Sequence, residues 1–312
     1  MRQRDVFSDQ ASIAFWALFT LHRKKLYEYR NANEQNISVK MRSPEHYVLM
    51  YHHVSNKPGL VTLSPRTFRA QMKWLVESGW KTVTAAEVEA FYRGEKLPRK
   101  SVMLTFDDGW LDNWLQVFPV LQEFNLHAHL FLVTGLVSDG PVRISADAQE
   151  HSHDECRALI EQGRADEVML RWSEVREMYC SGLVEFHSHT HTHQRWDCMP
   201  DIHSPWNLLR ADVLLSRERM KEMLGYCSRH LCWPEGYYNH DYIEVAKELG
   251  FSYLYTTERR MNNPVSGSLR IGRISTKERE NVGWLKRRLF YYTTPGFSSL
   301  LALHKGPRLT AD

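Results

Sequence analysis

Hydrophobic and polar positions alternate along this chain in a way that predicts strands and helices by turns. Tyr47–His53 (YVLMYHH) is a continuous apolar run of strand length, and Pro65–Ser78 places Phe68, Met72 and Leu75 on one helical face. Val102–Phe106 predicts a second strand, bounded by a charged turn, and Asn113–Phe124 a helix. Ala128–Val133 predicts a third strand, Ser173–Cys180 a helix and Leu183–Phe186 a strand. Leu208–Leu224 predicts a long helix, Leu231–Trp233 a short strand, His240–Leu249 a helix and Tyr253–Thr256 a last strand. Strands that alternate with helices indicate a parallel sheet or an α/β barrel.

The stretches between and around these elements divide the chain. Residues 1–45 hold an apolar run, Ala11–Leu21, followed by Arg23, Lys24 and Lys25 and a polar linker from residue 30. Ile13, Trp16, Ala17 and Leu21 predict an amphipathic helix packed on the domain, with attachment to an anionic membrane face as the alternative. The run is too short to span a bilayer and has no small-residue cleavage site, so a cytoplasmic place is expected. Residues 46–280 form the main domain, with a polar insertion at 138–171, and 281–312 form a basic, aromatic C-terminal segment.

Composition narrows the class of protein. Hydrophobic content of 43% and charged content of 25% in 312 residues suit a folded globular chain and exclude disorder as its description. A formal charge of +3 is too even for a nucleic-acid binder. Five cysteines, an odd number without a Cys-x-x-Cys pair, exclude a disulfide framework and a structural zinc cluster. The 16 histidines are more informative, because imidazole is the commonest metal ligand and acid–base group.

Two segments carry chemistry. In Ser101–Asn113 (SVMLTFDDGWLDN) a buried strand runs into Asp107, Asp108 and Gly109. Strand ends on the C-terminal side of an α/β barrel line its active site. Two adjacent carboxylates repel unless a cation lies nearby, and on an extended chain they point in different directions, so one can bind a metal while the other takes a proton. A solvated Asp-Asp-Gly turn is the alternative. In Leu183–Gln194 (LVEFHSHTHTHQ), His187, His189, His191 and His193 alternate with small residues at a strand end. On a continued strand all four face one way; on a helical turn His189 and His193 stack and share one ion. A histidine-rich surface loop is the alternative.

Together these residues resemble the polysaccharide deacetylases of the NodB-homology type, carbohydrate esterase family 4, and within it the poly-N-acetylglucosamine deacetylase-like subgroup. Thr105-Phe106-Asp107-Asp108-Gly109 is similar to the family's TFDDG motif, and Ser188–His193 to its SHTxxH motif. Trp233-Pro234-Glu235-Gly236-Tyr237-Tyr238-Asn239 resembles its third motif, and Leu49–Val54 and Phe131–Gly135 also fit. The likeness runs from about Tyr47 to about Ile274 with motifs in the family's order.

The resemblance implies a distorted (β/α) barrel with fewer than eight strands. It implies a divalent metal, usually zinc, held by Asp108, His189 and His193, with Asp107 as general base and a backbone N–H at Glu235 donating to the oxyanion. The implied reaction removes an N-acetyl group from an N-acetylhexosamine of a glycan or glycolipid, such as a lipopolysaccharide-core intermediate. A deformylase or O-acetyl esterase on the same scaffold, or a carbohydrate-binding pseudoenzyme, are the alternatives. Two positions depart from the pattern. Cys232 stands where the family often has an Arg that orients the base, and Glu235 where it has a Tyr. Arg270 and Arg273 are candidates to replace that Arg, Arg273 being the one assigned to the site. The family's late-strand His has no clear counterpart: Leu301–His304 has the letters but sits in a basic C-terminal segment, and His52 is the positional candidate for a catalytic His. Trp110, Trp233 and Tyr237 are the candidate sugar-binding aromatics, Trp172 a further one, and Trp114 is expected in the core. His151, His153 and Cys156 are expected to be loop residues.

Overall fold

The computed structural model describes residues 45–144, 149–199, 205–260, 262–276 and 280–293. The helix expected at Ala11–Leu21, most of the linker after it and the Leu301–His304 motif lie outside the described residues.

The sheet is built from parallel strands in the order β10-β1-β5-β6-β7-β8-β9, with β4 on the end of β5. These are β1 (Val48–Tyr51), β4 (Lys81–Thr82), β5 (Ser101–Asp108), β6 (Ala128–Leu132), β7 (Val184–Ser188), β8 (His230–Cys232), β9 (Tyr253–Tyr255) and β10 (Ile274–Ser275). A separate parallel pair, β2 (His53–Val54) and β3 (Thr62–Leu63), follows β1. The sheet curls into a half-barrel: Tyr255 at one edge bridges to Ile271, which leads directly into β10 at the other edge.

Parallel strands are covered on both faces, which is why they read as continuous apolar runs rather than alternating ones. All eight residues of β5 are buried. Its Val102, Leu104 and Phe106 join Leu49, Tyr51, Leu130 and Leu132 in the outer core. Helices cover that layer: α1 (Pro65–Glu77) brings Phe68, Met72 and Leu75, and α5 (Trp172–Cys180) brings Val175 and Met178. Each such fully buried side chain contributes roughly 1.5–3 kcal/mol. The inner face holds Val48, Met103, Phe131, Cys232, Tyr255 and Ile271. Helix α2 (Ala85–Tyr92) covers the barrel's lower end, and α6 (Pro205–Leu224) and α7 (His240–Glu248) enclose a further apolar cluster around Trp233.

Several expected elements change in ways that matter for function. The strand expected to end at Phe106 continues through Asp108, so both carboxylates are strand residues rather than a turn. The strand expected to end at Phe186 reaches Ser188. The run Tyr47–His53 breaks at His52 into β1 and β2. The helix expected over 113–124 is two pieces, a π-turn (Asn113–Val117) and α3 (Phe118–Phe124). Pro119 has no N–H and would break an α-helical ladder carried through it, so the wider turn ends just before it. Within the 138–171 insertion, the described residues include α4 (His153–Glu161), capped by Ser152 and Glu155. His153 and Cys156 are therefore helical, not loop residues, and Cys156, Leu159, Val168 and Met169 pack on Trp110. The C-terminal segment begins with α8 (Val282–Thr293), whose Leu285, Leu289 and Tyr292 are part of the outer core. All five cysteines are free. No helix among the described residues is long and apolar enough to cross a membrane.

Candidate active site

The C-terminal ends of β1, β5, β7 and β8 bring the expected chemistry together. Strand alternation would send Asp107 and Asp108 to opposite faces. Asp108 closes β5 with φ 76°, a left-handed conformation that turns its carboxylate toward the same site. Gly109 follows with φ 89°, and a Cβ there would lie 2.7 Å from a Leu132 methyl. The glycine is thus required both by its backbone angle and by the close approach of β6.

Asp108 Oδ1 lies 3.3 Å from His189 Nε2 and 3.5 Å from His193 Nε2. Four-coordinate ligands at about 2.0–2.1 Å from an ion are about 3.3–3.5 Å from one another, so this triangle has the spacing of a metal's ligand shell. His189 Nδ1 donates to the Cys232 carbonyl at 2.8 Å, which presents Nε2 to the site. Trp110 Nε1 donates to the other carboxylate oxygen, Asp108 Oδ2, at 2.8 Å. Burial pushes the Asp108 carboxyl up, but His189 and His193 outweigh it and hold it well below the usual range. Burial pulls His189 down, yet Cys232 and Asp108 raise it well above the ordinary imidazole value. The two shifts record the attraction between the carboxylate and the imidazoles, while burial lowers His193. A His₂Asp donor set fits a divalent transition ion.

The turn that carries His193 differs from the helical turn weighed above. Thr190 and His193 have φ of 65° and 60°, and the His193 N–H donates to Thr190 Oγ1. Asp212 of α6 anchors the turn, its Oδ1 accepting the N–H groups of His191 and Thr192 at 3.0 and 2.8 Å. Its other oxygen accepts Trp196 Nε1. Asp212 is absent from the sequence-derived site, although a charged residue on the apolar face of Leu209, Val213 and Met220 was its legible signal. His187 and His191 stand apart from the triangle. His187 lies lower in the barrel against His129, and His191 contacts Thr134.

Asp107 is buried and gripped by Arg273, Nη1 to Oδ1 and Nη2 to Oδ2, both at 2.7 Å. Arg273 also donates to the Thr256 carbonyl and approaches Cys232 Sγ at 3.0 Å. Burial raises the Asp107 carboxyl, and the Arg273 guanidinium, by charge and hydrogen bonds, brings it below its ordinary value. Of the two candidate arginines, Arg270 instead pairs with Glu258 and Tyr238. His52, in the gap between β1 and β2, places Nε2 3.7 Å from Asp107 Oδ2, and its buried Nδ1 has no hydrogen-bond partner. Burial lowers its pKa against the opposing pull of Asp107 and Asp108.

Three of the aromatic candidates, Trp233, Trp110 and Trp172, are corrected. Trp233 is fully buried against Tyr242 in the α6–α7 cluster, because the chain turns outward only after it, and it cannot face a sugar. Trp110 is 4% exposed and stacked on His53 at 4.2 Å, so it braces Asp108 rather than forming an open wall. Trp172 is likewise core, and Trp114 is partly buried against that core. Tyr237 is partly exposed and lies beneath the Arg195 guanidinium, 3.7 Å from its ring centroid. Glu235 sits in the left-handed region with φ 55°, its side chain 60% exposed and 3.5 Å from Arg195. Beside the site, a cavity of 280 Å³ is lined by His53, Asp112, Glu150, His151, Cys156 and Glu167 among others. His53 was not among the sequence candidates. It joins Asp112 at 2.6 Å and His153 at 3.2 Å, pairings that adjacency in sequence does not signal.

The family model for polysaccharide deacetylases matches residues 94–254, half of the chain. The chain belongs to the polysaccharide deacetylase family. The matched span holds Asp107, Asp108, His189, His193 and Glu235, while Arg273 and His52 lie outside it. A poly-β-1,6-N-acetyl-D-glucosamine N-deacetylase of Escherichia coli K12 is 28% identical over 244 residues, 69% of this chain. The chain spans about a third of that relative's length, the match covering 34% of it. A protein of the same name from Staphylococcus epidermidis is 24% identical over 78% of this chain and 83% of the relative. Among solved structures, IcaB from Ammonifex degensii superposes with a TM-score of 0.64 at 25% identity, covering 80% of this chain and 97% of that one. A de-N-acetylase from Aggregatibacter actinomycetemcomitans shares the fold, with a TM-score of 0.64 at 23% identity over 78% of this chain and 99% of that one. This family's curled parallel half-barrel is the architecture described above.

Proposed function

We propose that this deacetylase-family chain is a metal-dependent hydrolase that removes N-acetyl groups from N-acetylhexosamine residues of a glycan or glycolipid. The observation that carries the reading is the pairing of two differently prepared carboxylates. Asp108 faces two imidazoles at metal-ligand spacing, and Asp107 beside it is clamped by Arg273. Asp108, His189 and His193 would hold the divalent ion, zinc being the candidate from the donor set. Such an ion supplies Lewis-acid polarisation of a carbonyl and lowers the pKa of water.

The chain's own residues do the rest. Asp107 is the general base that takes a proton from water, and Arg273 keeps its carboxylate ionised and pointed. A base fixed in this way needs no reorganisation when the substrate arrives. The backbone N–H at Glu235 donates to the oxyanion that develops on the acetamide carbonyl. The left-handed conformation there supports the reading, since strained backbone gathers at functional sites. His52, with Nε2 3.7 Å from Asp107 Oδ2, is the candidate to pass the proton that Asp107 takes from water on to the departing amine. The acetyl C–N bond breaks, acetate leaves and the sugar keeps a free amine.

The names of the relatives support N-acetylglucosamine in a polymer as the substrate class. The cavity lined by His53 and Asp112 is the candidate seat for a neighbouring sugar. The basic terminal segments favour a glycolipid at an anionic surface, such as a lipopolysaccharide-core intermediate. The test is product release by the zinc-loaded chain from N-acetylglucosamine oligomers, nucleotide-linked N-acetylglucosamine and core glycolipid, with Asp107→Asn as control. Acetate with a new amine supports the proposal. Formate, or acetate without a new amine, would replace it with a deformylase or an O-acetyl esterase. Bound zinc without any release would replace it with a carbohydrate-binding pseudoenzyme.

A further inference from the structure

A second group of metal-ligating side chains lies at the other end of the barrel. His129 and Glu185 are register partners near the starts of β6 and β7, and His127 immediately precedes β6. Glu185 is four residues before His189 along the chain, about 13 Å at strand rise. Glu185 Oε2 is 3.3 Å from His127 Nε2 and 3.2 Å from His129 Nδ1. These separations are close to those of Asp108 with His189 and His193, and they have the spacing of ligands in a four-coordinate shell.

At His129 the proton placement leaves an acceptor facing an acceptor. His129 Nε2 is 2.7 Å from the Val83 carbonyl, so that nitrogen carries the proton and Nδ1 presents a lone pair. Glu185 Oε2 is held in place by the Ala85 N–H at 2.7 Å. Histidine contacts outweigh burial and hold the Glu185 carboxyl at about 2, while burial pushes His129 down to about 3. An anionic oxygen therefore meets a bare ring nitrogen. His127 Nε2, buried at the same point, faces Glu185 Oε2 without a well-aligned hydrogen bond. His187 Nε2 also approaches His129 Nδ1 at 3.0 Å, with its Nδ1 2.7 Å from Ser228 Oγ. A proton on His127 Nε2 would pair it with Glu185, and one from His187 would satisfy His129. A single cation at the centre serves all three ligand atoms at once, since they lie within 4.8 Å of one another.

We propose that His127 Nε2, His129 Nδ1 and Glu185 Oε2 form a second binding site for a divalent transition-metal ion, at the opposite end of the barrel from the candidate active site. The site rests on its own residues and not on the proposed activity. Two imidazoles and one carboxylate suit zinc or cobalt. The partial exposure of His127 and Glu185, 13% and 27%, opens a way in from solvent. With the ion bound, His187 donates Nδ1–H to Ser228 and leaves Nε2 bare beside it. Its role is structural: it ties β6 and β7 to the β4–α2 connection through Val83 and Ala85.

The test is the zinc content of the untagged full chain after loading and desalting, with cobalt absorption spectra as a geometric check. Two zinc ions per chain are expected. Asp108→Ala should retain one, His127→Ala/Glu185→Gln should retain one, and the triple variant none. In the Asp108→Ala background, added zinc should raise the melting temperature by several degrees, and His127→Ala/Glu185→Gln should abolish that rise. Should the double change prevent folding, the half-buried His127→Ala alone should weaken zinc binding at least tenfold in that background. One zinc in the wild type and none in Asp108→Ala would overturn the proposal. So would unchanged zinc content and melting response in His127→Ala/Glu185→Gln. One zinc in Asp108→Ala but none in His127→Ala/Glu185→Gln would uphold this site while removing the metal from the active-site reading.

Discussion

Replacing Arg273 by alanine removes two hydrogen bonds and the counter-charge from a buried carboxylate at once. Arg273 is 1% exposed and Asp107 2%, so water does not compensate readily for the loss. Breaking one side of a buried ion pair costs about 3–5 kcal/mol, because the remaining charge is stranded. In the wild type the paired Asp107 carboxyl lies below its ordinary value. Its contribution to stability is fully present above the unfolded pKa, about 3.9, and is lost as pH falls through the lower folded value. In Arg273→Ala the guanidinium no longer opposes burial, and the carboxyl moves up. The variant should therefore lose stability as pH rises through that new value, the opposite sign. For the same reason the acidic limb of kcat against pH should move to higher pH. Loss of orientation should lower kcat by about 10²-fold even where Asp107 is ionised. Arg273→Lys restores a charge but not the fork, so it should recover stability more than turnover. The assays are acetate release against pH, zinc content, and urea unfolding at pH 5 and 8. Zinc content should stay unchanged, because Asp108, His189 and His193 are held by other partners. Unchanged kcat together with an unmoved acidic limb in Arg273→Ala would refute the orienting role.

Asp107→Asn should keep bound zinc and lose turnover by about 10²–10⁴-fold, the range for removing a general base, as read by zinc content and acetate release. Asp212→Ala should lower zinc affinity by about 10–100-fold, since it frees the two N–H groups that hold the His193 turn; competition with a chelator measures this. Trp110→Phe should produce a loss in the same range by releasing Asp108 Oδ2, with the melting temperature in excess zinc little changed. Gly109→Ala should destabilise the fold by more than 1 kcal/mol, because it adds a left-handed alanine to a clash with Leu132; denaturant unfolding checks it.

The alternation of apolar runs with helical faces was enough to place most strands and helices, because parallel strands covered on both sides and helices packed on one side leave different periods. The short elements were less legible. β4 has two residues, Lys81 and Thr82, and β10 has Ile274 and Ser275, and such pairs carry no period of their own. They are strands only because β5 and β1 lie beside them. Helix α2 has only eight residues with apolar side chains on most of its faces, α4 only nine, and α8 carries Lys286, Arg287 and Arg288 among its apolar positions, so none shows a clear helical period.

The sequence by itself determined the family and the identity of the metal-ligand candidates, since Asp107, Asp108, His189 and His193 come in contiguous motifs that few other chemistries require. Tertiary structure alone decided which residues brace them. Arg273 reaches Asp107 across 166 positions of sequence. Asp212 holds the His193 turn from a helix twenty residues on. Trp233 was withdrawn into the core and Trp110 became a brace. The physical reason is one of range. A motif records what one stretch of backbone can present at a strand end, whereas orientation, desolvation and counter-charge come from groups that meet only when the sheet has curled.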